Sequence, residues 1–502
     1  MNNKNKDFSV NTVGKVKKTE KSPKNLIKIL VLIMGIILIF AFSFALVSQF
    51  KNIVSSISES TIGFVSKTVG TEMQRDEYGN INILFLGYGG ADHRGGFLTD
   101  SMMVASRNPD IGEVIMFSIP RDLWVQNSLT QAQGRINSVF SQMYGKTKDI
   151  HEAASGFTLQ MEEMLGMQIP YYATIDFSAF KEVIDTLGGI DIDVPESIYD
   201  PYYPADNMID YQTFHIEAGP QHLDGTTALK YARSRYTTSD FSRSLRQQLI
   251  IEAVKDKLLD SGLSISNAQE LYNHYVSYVN TNISFQEMLW TVQYLPQLGK
   301  FTSFGFTIEC SLGNFKATKA ACFLYNPSRD LFGGASIMLP MGATANNIKN
   351  YDQMQGFIDF ILSNQAWLQE NPSIEVINAI DKTYVRTKKL SGVAFAGQLA
   401  SKLKRYGFWI ESTKNAEITS TGTYILIQDG KEYPATIKAL ESFLPVTDIR
   451  IGTGNLVTDI DFSGNVIQYV EGANISLYLG EDYLDGTATF SGLVEKKFSY
   501  TL

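Results

Sequence analysis

Four arginines and one aspartate lie close together in the segment ALKYARSRYTTSDFSRSLRQQ, residues 228–248. They are Arg233, Arg235, Arg243, Arg246 and Asp240. The planar guanidinium group binds phosphate and carboxylate oxygens through paired hydrogen bonds. Because the whole chain is acidic, with a formal net charge of −9, this cluster indicates either an anionic ligand or local ion pairs. Surface ion pairs are common and contribute little, so the segment alone leaves both interpretations open.

The second half of this segment predicts a helix that begins near Phe241, with Ser239 or Asp240 as its cap. Asp240, Arg243 and Gln247 have the spacing i, i+3, i+7 and would share one face of that helix. If the preceding residues are extended, Arg233 and Arg235 point to the same side. The two groups of arginines could then converge on one multiply charged anion beside the free amides of the helix N-terminus.

Three further segments place charged side chains after predicted buried strands. They are GYGGADHRGGFLTDSMMVAS (87–106), which is predicted to be one long glycine-bearing loop, SIPRD (118–122) and GRIN (134–137). Their polar side chains are Asp92, His93, Arg94, Asp100, Arg121, Asp122, Arg135 and Asn137. Open α/β sheets bind ligands at the carboxyl ends of their strands. Carboxylates that hold Mg²⁺, with arginines that neutralise the remaining phosphate oxygens, are typical of a metal-assisted phosphate site.

The elements that must position these residues are predicted from apolar runs. Residues 81–87, 113–122, 171–177 and 190–194 predict strands, and residues 178–189 predict a short helix closed by two glycines. Strands that alternate with helices predict an α/β sheet covered on both faces. Residues 373–482 repeat this alternation on a smaller scale without a cluster of catalytic residue types, which predicts an interaction or accessory domain.

A basic tail and an apolar run predict the compartment. Residues 1–24 carry seven lysines against Asp7 and Glu20, a net charge of +5. The 22 residues between Lys28 and Lys51 are uncharged and, as a helix, long enough to cross a hydrocarbon core of about 30 Å. They predict an uncleaved single-pass anchor in the cell membrane with a cytoplasmic N-terminus and an extracytoplasmic catalytic region. The alternative is a cleaved signal peptide, which the length of the apolar run and the lack of an A-x-A site after it disfavour. The strongly acidic remainder argues against nucleic acid as a partner.

The chain has two cysteines, Cys310 and Cys322, which lie twelve positions apart. In an oxidising compartment this spacing favours a disulfide, with two independent buried thiols as the alternative. A zinc site is disfavoured because none of the five histidines lies near the pair.

The motifs, taken in order, resemble the LytR-CpsA-Psr family. The resemblance rests on LGYGG…LTDSMMV, FSIPRDLWV, GRINSVF, DTLGGIDIDV and AGPQHLDGTTALKYARSRYTTSDFSRSLRQQ, and it covers about residues 79–265. Residues 373–482 resemble, more weakly, the LytR C-terminal domain that follows the catalytic domain in some members.

The resemblance implies a membrane-anchored, three-layer αβα catalytic domain with a second, smaller α/β domain. It also implies a phosphotransferase that moves a glycopolymer from an undecaprenyl-pyrophosphate carrier onto peptidoglycan through a phosphodiester, typically at the 6-hydroxyl of N-acetylmuramic acid. Mg²⁺ is the implied cofactor, and family members bury the isoprenoid in an apolar tunnel.

Site residues follow from the same motifs. The resemblance implies that Asp100 and Asp92 bind Mg²⁺, with Asp100, Arg121 and Arg235 catalytic. The implied substrate-binding residues are Arg94, Arg121, Arg135, Asn137, Arg233, Arg235, Asp240, Arg243 and Gln247. Two positions depart from the family pattern: Asp92 stands in LGYGGADHRGG where an LGxD pattern is usual, and Arg135 replaces a frequent lysine.

Seven segments are predicted along the chain. They are a basic tail (1–24), a transmembrane helix (25–50), a stalk (51–78), the catalytic domain (79–345), a connector (346–372), the LytR C-terminal-like domain (373–485) and a tail (486–502).

Two other functions remain open. One is a pyrophosphatase of lipid carriers, and the other is a non-catalytic envelope protein that binds anionic polymers. Asp100 favours an enzyme, because a pure anion binder has no need of a carboxylate among arginines. An older family interpretation, transcriptional regulation, is disfavoured by the predicted anchor and the acidic charge.

Overall fold

The computed structural model contains two main β-sheets, each with parallel and antiparallel strands, and the helices that pack on them. The described residues are 70–91, 93, 95–205, 210–234, 240–260, 278–291, 301–308, 318–390, 392–452, 456–460, 466–470 and 472–485. The predicted anchor at 25–50 lies outside these residues and stays a prediction. Within the described part of the chain, no helix has the length and apolar character needed to cross a membrane.

The strands in chain order are β1 Ile81–Tyr88, β2 Thr99–Arg107, β3 Val114–Ser118, β4 Trp124–Gln126, β5 Gln133–Arg135, β6 Tyr171–Asp176, β7 Ile190–Val194, β8 Ile198–Pro204, β9 Tyr211–Ile216, β10 Gly219–Leu223, β11 Asn280–Thr281, β12 Phe301–Phe306, β13 Thr318–Ala321, β14 Leu324–Tyr325, β15 Leu339–Pro340, β16 Ser373–Asn378, β17 Trp409–Asn415, β18 Tyr424–Ile427, β19 Asp448–Ile451, β20 Leu456–Ile460, β21 Val466–Val470 and β22 Ile475–Leu479. The α-helices are α1 Asn137–Thr147, α2 Ile150–Leu165, α3 Phe177–Thr186, α4 Gly225–Arg233, α5 Asp240–Asp260, α6 Phe285–Thr291, α7 Asp352–Ser363, α8 Trp367–Glu370, α9 Lys382–Thr387, α10 Phe395–Arg405 and α11 Pro434–Glu441. Single 3₁₀ turns lie at Arg329–Phe332 and Glu481–Leu484.

The larger sheet has seven strands in the order β11-β6-β1-β2-β3-β12-β13. β2 runs antiparallel to both β1 and β3, whereas β1 is parallel to β6, and β3 is parallel to β12. The carboxyl ends of β1, β3 and β6 therefore meet the amino end of β2 at one edge of the sheet. Gly87 of β1 lies opposite both Ser101 and Ile175 in this register.

Both faces of this sheet are buried, as the apolar runs predict. Successive side chains of a strand point to opposite faces. One face packs on α1, α2 and α7, and the other packs on α3, α5 and α6. Leu84 and Val104 belong to the first apolar cluster, whereas Ile83 and Ala105 belong to the cluster on the opposite face. The predicted α/β fold with helices on both faces is confirmed for this sheet.

The smaller sheet has five strands in the order β17-β16-β22-β18-β19. The alternation of strands and helices that was predicted for residues 373–482 is present as β16, α10, β17, β18, α11 and β22. β19 and the β20–β21 hairpin are additions to the prediction.

Helix α7 lies between the two sheets. Its Phe357 ring lies 5.3 Å from the Phe304 ring of β12, and its Phe360 ring lies 5.1 Å from that of Phe443, which follows α11. One apolar cluster therefore contains residues of both sheets. The buried Lys319 ammonium closes this contact by donating to Asn371 Oδ1 at 2.8 Å and to the Gly407 carbonyl at 2.9 Å. The predicted domain limits stay predictions.

Two local expectations differ from the structure. Residues 99–106 were predicted as part of the loop 87–106, but Thr99–Arg107 forms the central strand β2, so Asp100 is a strand residue. Its SMMVAS sequence supplies apolar side chains to both buried faces, which explains the strand. The condition that the segment around Arg233 is extended is not met, because Arg233 ends the helix α4, whose Ala228, Tyr231 and Ala232 are buried at helical spacing. Strand β7 exists as predicted, although it pairs with β10 in a separate ribbon.

Candidate functional site

Three adjoining cavities open at the carboxyl edge of the larger sheet, and Asp100 lines all three. We call them the apolar cavity, the arginine pocket and the loop pocket, with volumes of about 120, 350 and 320 Å³. Arg233 lines the first two and Arg121 lines the last two. The cavities are therefore connected through three charged side chains from β2, α4 and the turn after β3.

The apolar cavity lies between the sheet and helices α3, α4 and α5. Its apolar walls include Phe85, Met103, Ile175, Phe180, Leu229 and Ile250. Asp100, Arg233 and Gln247 line it too and also belong to the arginine pocket. The cavity thus offers an apolar body with a charged end, which suits an amphiphilic ligand.

The arginine pocket brings three arginines together with two carboxylates, Asp100 and Asp200. Arg121 Nη1 lies 2.8 Å from Asp100 Oδ1, and both side chains are about one-third exposed. Arg243 is buried, with 6% of its surface exposed, and it lines the same pocket. Gln247, one helical turn further along α5, accepts a hydrogen bond from Ser101 Oγ at 2.9 Å. Arg121, Arg243 and Gln247, which were predicted in separate motifs, therefore line one pocket.

Arg233 is held in a defined orientation. Its guanidinium carbon lies 4.1 Å from the centre of the Phe177 ring, and Nη1 donates to Tyr203 Oη at 3.2 Å. Phe177 directly follows the carboxyl end of β6, and Tyr203 belongs to β8. A guanidinium stacked on an aromatic ring still directs its N–H groups outward in the ring plane. Arg233 can therefore present its remaining donors to a ligand in the pocket.

Arg246 has a structural role instead. It is buried, and Nε donates to the Tyr231 carbonyl at 2.7 Å while Nη2 donates to the Ser234 carbonyl. These bonds satisfy carbonyls at the C-terminal end of α4 and fix α4 against α5. Burial lowers the pKa of Arg246 to about 10, so it remains charged near neutral pH.

The loop pocket is bounded by the glycine-rich loop and by the segment that leads into α1. The loop is closed at its base, where Gly90 N donates to the Gly96 carbonyl at 2.9 Å. A side chain at Gly96 would place its Cβ 1.9 Å from the Gly90 carbonyl oxygen, so only glycine fits there. Phe97 anchors the loop by stacking on Tyr144, with 3.8 Å between ring centres.

The opposite wall of the loop pocket carries Arg135 and Asn137. Arg135 Nε lies 3.1 Å from Asp122 Oδ1, and Nη2 donates to the Ser336 carbonyl at 3.1 Å. Asn137 is the first residue of α1. Part of the Arg135 guanidinium is therefore bound by the protein itself. Arg135 fixes this wall of the pocket and also contributes positive charge to it.

Seven predicted site residues are brought to this edge of the sheet: Asp100, Arg121, Arg135, Asn137, Arg233, Arg243 and Gln247. The predictions for Asp92, Arg94, Arg235, Cys310 and the Asp240 side chain lie outside the described residues. Cys322 is buried and disulfide-bonded. Since Cys310 is the only other cysteine in the sequence, the predicted pair stays the expected one.

A magnesium ion fits the site in part. Among the described residues, no group of three His, Cys, Asp or Glu side chains could hold a metal. Mg²⁺ is commonly bound by one or two carboxylates together with substrate phosphates and water, so a complete protein cage is not required. Within the same residues, Asp100 Oδ1 contacts Arg121 and Oδ2 has no hydrogen bond or ion pair. Asp100 could therefore hold an ion that a phosphate ligand completes.

Four residues of the site were missed or left without a role by the sequence prediction. Phe177 and Tyr203 hold Arg233, Phe180 lines the apolar cavity, and His93 lines the loop pocket. The position of Phe177 as the last residue of a predicted strand was a usable signal. The other contacts depend on tertiary packing and had no local signal.

Comparisons with known proteins agree with the motifs. The "Polyisoprenyl-teichoic acid–peptidoglycan teichoic acid transferase TagV" of Bacillus subtilis is 33% identical over 215 residues, which are 41% of this chain and 51% of that protein. The match thus spans about half of the relative's length. The Enterococcus faecalis protein of the corresponding name, TagU, is 26% identical over 274 residues, covering 52% of this chain and 81% of its own.

The crystal structure of TagV from Bacillus subtilis aligns with a TM-score of 0.39 and 26% identity, covering 56% of this chain and 98% of that chain. The family model of the LytR_cpsA_psr family matches residues 47–310, which is more than half of the chain and includes every motif of the site. The chain therefore belongs to the LytR_cpsA_psr family.

Proposed function

We propose that this protein transfers a glycopolymer from an undecaprenyl-pyrophosphate carrier onto peptidoglycan through a phosphodiester bond during cell wall assembly. The observation that carries the proposal is the junction of the apolar cavity with the arginine pocket, because a prenyl pyrophosphate is apolar at one end and multiply charged at the other. The relatives named above are teichoic acid transferases that act on peptidoglycan, which supports the same class of reaction.

The donor would bind with its charged end at the junction. The part of the prenyl chain next to the pyrophosphate occupies the apolar cavity, and the two phosphates face Arg121, Arg233 and Arg243. Arg235 would add a further guanidinium, as the motif implies. Arginine suits this role because its fork donates to two phosphate oxygens at once.

Negative charge develops on the departing prenyl phosphate during the reaction, and the arginines face this group. The acceptor hydroxyl forms a new bond to the phosphorus that carries the glycan, and the bond from this phosphorus to the bridging oxygen breaks. The electron pair leaves with undecaprenyl phosphate. Oriented donors that strengthen their contacts as this charge develops lower the barrier, and one such donor typically contributes a factor of about 10²–10³ in rate.

Mg²⁺ held by Asp100, with Asp92 as a second ligand, would neutralise phosphate charge and make the phosphorus more electrophilic. The position of Asp100, which lines all three cavities, supports this role. Its pairing with Arg121 at 2.8 Å keeps the carboxylate at the junction.

The loop pocket favours a transferase over a pyrophosphatase. Its volume of about 320 Å³ and its lining by Asp122, Arg135 and Asn137 provide room and hydrogen-bond partners for a sugar. Water as the nucleophile would need neither. The predicted anchor at 25–50 would hold the site at the outer face of the cell membrane, where lipid-linked glycans and peptidoglycan meet.

The test is a transfer reaction with the full chain in detergent micelles. The donor is a prenyl-pyrophosphate-linked glycan with a radiolabelled sugar, and the acceptor is insoluble peptidoglycan. We expect Mg²⁺-dependent label in the peptidoglycan, with strongly reduced label for Arg121→Ala. Label released only as soluble glycan phosphate would establish a pyrophosphatase. Donor binding with no turnover would establish the polymer-binding alternative.

A further inference from the structure

Strand β8 forms a wall of the arginine pocket that neither of the other two cavities shares. Among the described lining residues, Asp200, Tyr202, Tyr203 and Pro204 belong to the arginine pocket but not to the apolar cavity or the loop pocket. Tyr203 is buried and accepts from Arg233, whereas 57% of the surface of Tyr202 is exposed. The pocket that holds the arginines is therefore bordered by an accessible aromatic side chain.

A β-bulge brings these two successive tyrosines to the same pocket. In a regular strand, successive side chains point to opposite faces. The pairing of β8 with β9 shifts by one residue between Asp200 and Tyr203, so the two residues between them lie opposite a single residue of β9. One of the two is Pro201, which has no N–H for a regular ladder. The other is Tyr202, and bulges of this kind redirect a side chain beside a site.

The backbone and the ring of Tyr202 are both held in place. Its backbone N donates to Asp200 Oδ1 at 3.1 Å, and Asp200 Oδ2 accepts from Ser234 Oγ at 2.7 Å. Ser234 directly follows Arg233, so the bulge is fixed to the end of α4. The Tyr202 and Tyr211 rings are nearly perpendicular, at 89°, with 5.9 Å between their centres. The accessible ring therefore has a defined position beside the arginines.

The geometry of phosphoryl transfer calls for a third direction at the site, and this step rests on the proposed function. The attacking and leaving oxygens lie roughly in line at phosphorus. The prenyl phosphate would leave on the side of the apolar cavity, and the acceptor would enter from the loop pocket. The glycan stays bonded to the same phosphorus throughout, so it extends in a direction that neither of these groups occupies. Strand β8 borders the arginine pocket on such a side.

We propose that Tyr202 forms the binding subsite for the first sugar of the donor, the one linked directly to the pyrophosphate. The ring packs against a face of this sugar that carries C–H groups. The face of an aromatic ring is weakly negative and attracts these weakly positive hydrogens, while the hydroxyl groups at the rim of the sugar stay in water. A phosphate would bind the arginines instead, and the prenyl chain has its own apolar cavity. The group that Tyr202 recognises is therefore a pyranose.

The test compares two ligands on the full chain in detergent micelles. One is prenyl pyrophosphate, and the other is the transfer donor shortened to its first sugar. Tyr202→Ala should weaken binding of the sugar-bearing ligand by about tenfold, which is the size of one aromatic contact. Its dissociation constant for prenyl pyrophosphate should stay within about threefold of wild type, which shows that the arginine pocket is intact. Tyr202→Phe keeps the ring and should restore most of the lost affinity.

The matched control is Tyr199→Ala. Tyr199 also belongs to β8 and is 56% exposed, and its ring lies 5.8 Å from the His215 ring. Among the described residues, it lines none of the three cavities. This variant should bind both ligands as the wild type does.

Three results would overturn the inference. If Tyr202→Ala binds the sugar-bearing ligand within threefold of wild type, the ring does not contact the sugar. If the variant loses affinity for both ligands in parallel, Tyr202 supports the arginines or contacts lipid. If only the KM for peptidoglycan rises, the ring contacts the acceptor.

The proposed function is judged separately, by glycan transfer with the wild-type protein. Transfer by the wild type together with any of these three results would leave the proposed function standing without the subsite. A wild-type protein that prefers the sugar-bearing ligand through Tyr202 but transfers no glycan would overturn the proposed function and keep the subsite.

Discussion

Replacing Arg233 by lysine tests whether the stacked guanidinium, rather than positive charge alone, stabilises the transferring phosphate. The variant keeps the charge but loses the planar fork, the geometry over Phe177 at 4.1 Å and the bond to Tyr203 Oη at 3.2 Å. Loss of one oriented donor typically costs a factor of about 10²–10³ in rate, or about 3–4 kcal/mol of transition-state stabilisation. The folded protein loses one ordinary hydrogen bond, about 1 kcal/mol. We therefore expect a kinetic loss much larger than the loss of stability.

The assay compares kcat/KM for glycan transfer with the midpoint of thermal unfolding. The control is Arg450→Lys, because Arg450 also stacks on an aromatic ring, with its guanidinium carbon 3.7 Å from the Tyr424 ring centre, but it lies in the smaller sheet away from the cavities. Arg450→Lys should keep wild-type turnover. The reasoning is refuted if Arg233→Lys turns over within threefold of wild type, or if its loss of activity merely follows unfolding.

Four further predictions concern the metal, the contact between the sheets, the disulfide and the topology. Asp100→Ala should abolish Mg²⁺-dependent turnover in a protein that still melts cooperatively, because the side chain is about one-third exposed; near-normal turnover would contradict its role. Burial lowers the pKa of Lys319 to about 8 from 10.5, so between these pH values the unfolded chain holds a proton that the folded chain has released. The free energy of unfolding in denaturant should therefore rise from pH 8 to 9.5, and the rise should be smaller in Lys319→Met. An equal rise in wild type and variant would argue against the lowered pKa of Lys319. Mass spectrometry after alkylation should show Cys310 and Cys322 blocked until reductant is added, and two free thiols would disprove the pair. Protease added outside intact spheroplasts should degrade the bulk of the chain, and full protection would exclude the predicted orientation.

The sequence predicted the strands that carry the site because each is a short apolar run bounded by turn residues. β1, β3 and β6 have this form, and charged motifs follow β1 and β3 directly. Since such strands share an edge in an α/β sheet, the meeting of Asp100 with Arg121 could be foreseen from the sequence.

The errors came from competing local signals. Glycines, Asp100 and Ser101 made residues 87–106 resemble one long loop, yet Met102 to Ala105 are buried between two sheet neighbours and extend the strand. The alternation of Arg233 with Arg235 suggested an extended segment. The burial of Ala228 and Tyr231 at helical spacing favours a helix there, and the fixation of its C-terminal end by Arg246 is a tertiary contact.

The cavities themselves could not be predicted. The walls of the apolar cavity come from three strands and three helices. In the sequence, each apolar side chain alone is typical of a residue of the hydrophobic core. The contact between His93 and Arg233 could not be predicted either, because the two residues are 140 positions apart in the sequence. Such contacts depend on the register of β1 against β2 and β6 and on the packing of α4 against α5, which no local pattern records.

The central claim is that the phosphate next to the glycan moves to peptidoglycan while prenyl monophosphate leaves. It is tested most directly by following each phosphorus of a donor that carries ³²P in the glycan-linked phosphate. We expect ³²P in the insoluble peptidoglycan. We also expect an equal molar amount of prenyl monophosphate, without label, in the lipid fraction. If glycan becomes attached to peptidoglycan while the ³²P stays in prenyl pyrophosphate, the bond between sugar and phosphate is the one cleaved. If ³²P is found only in soluble glycan phosphate, the donor is hydrolysed. Either result contradicts transfer of the glycan-linked phosphate.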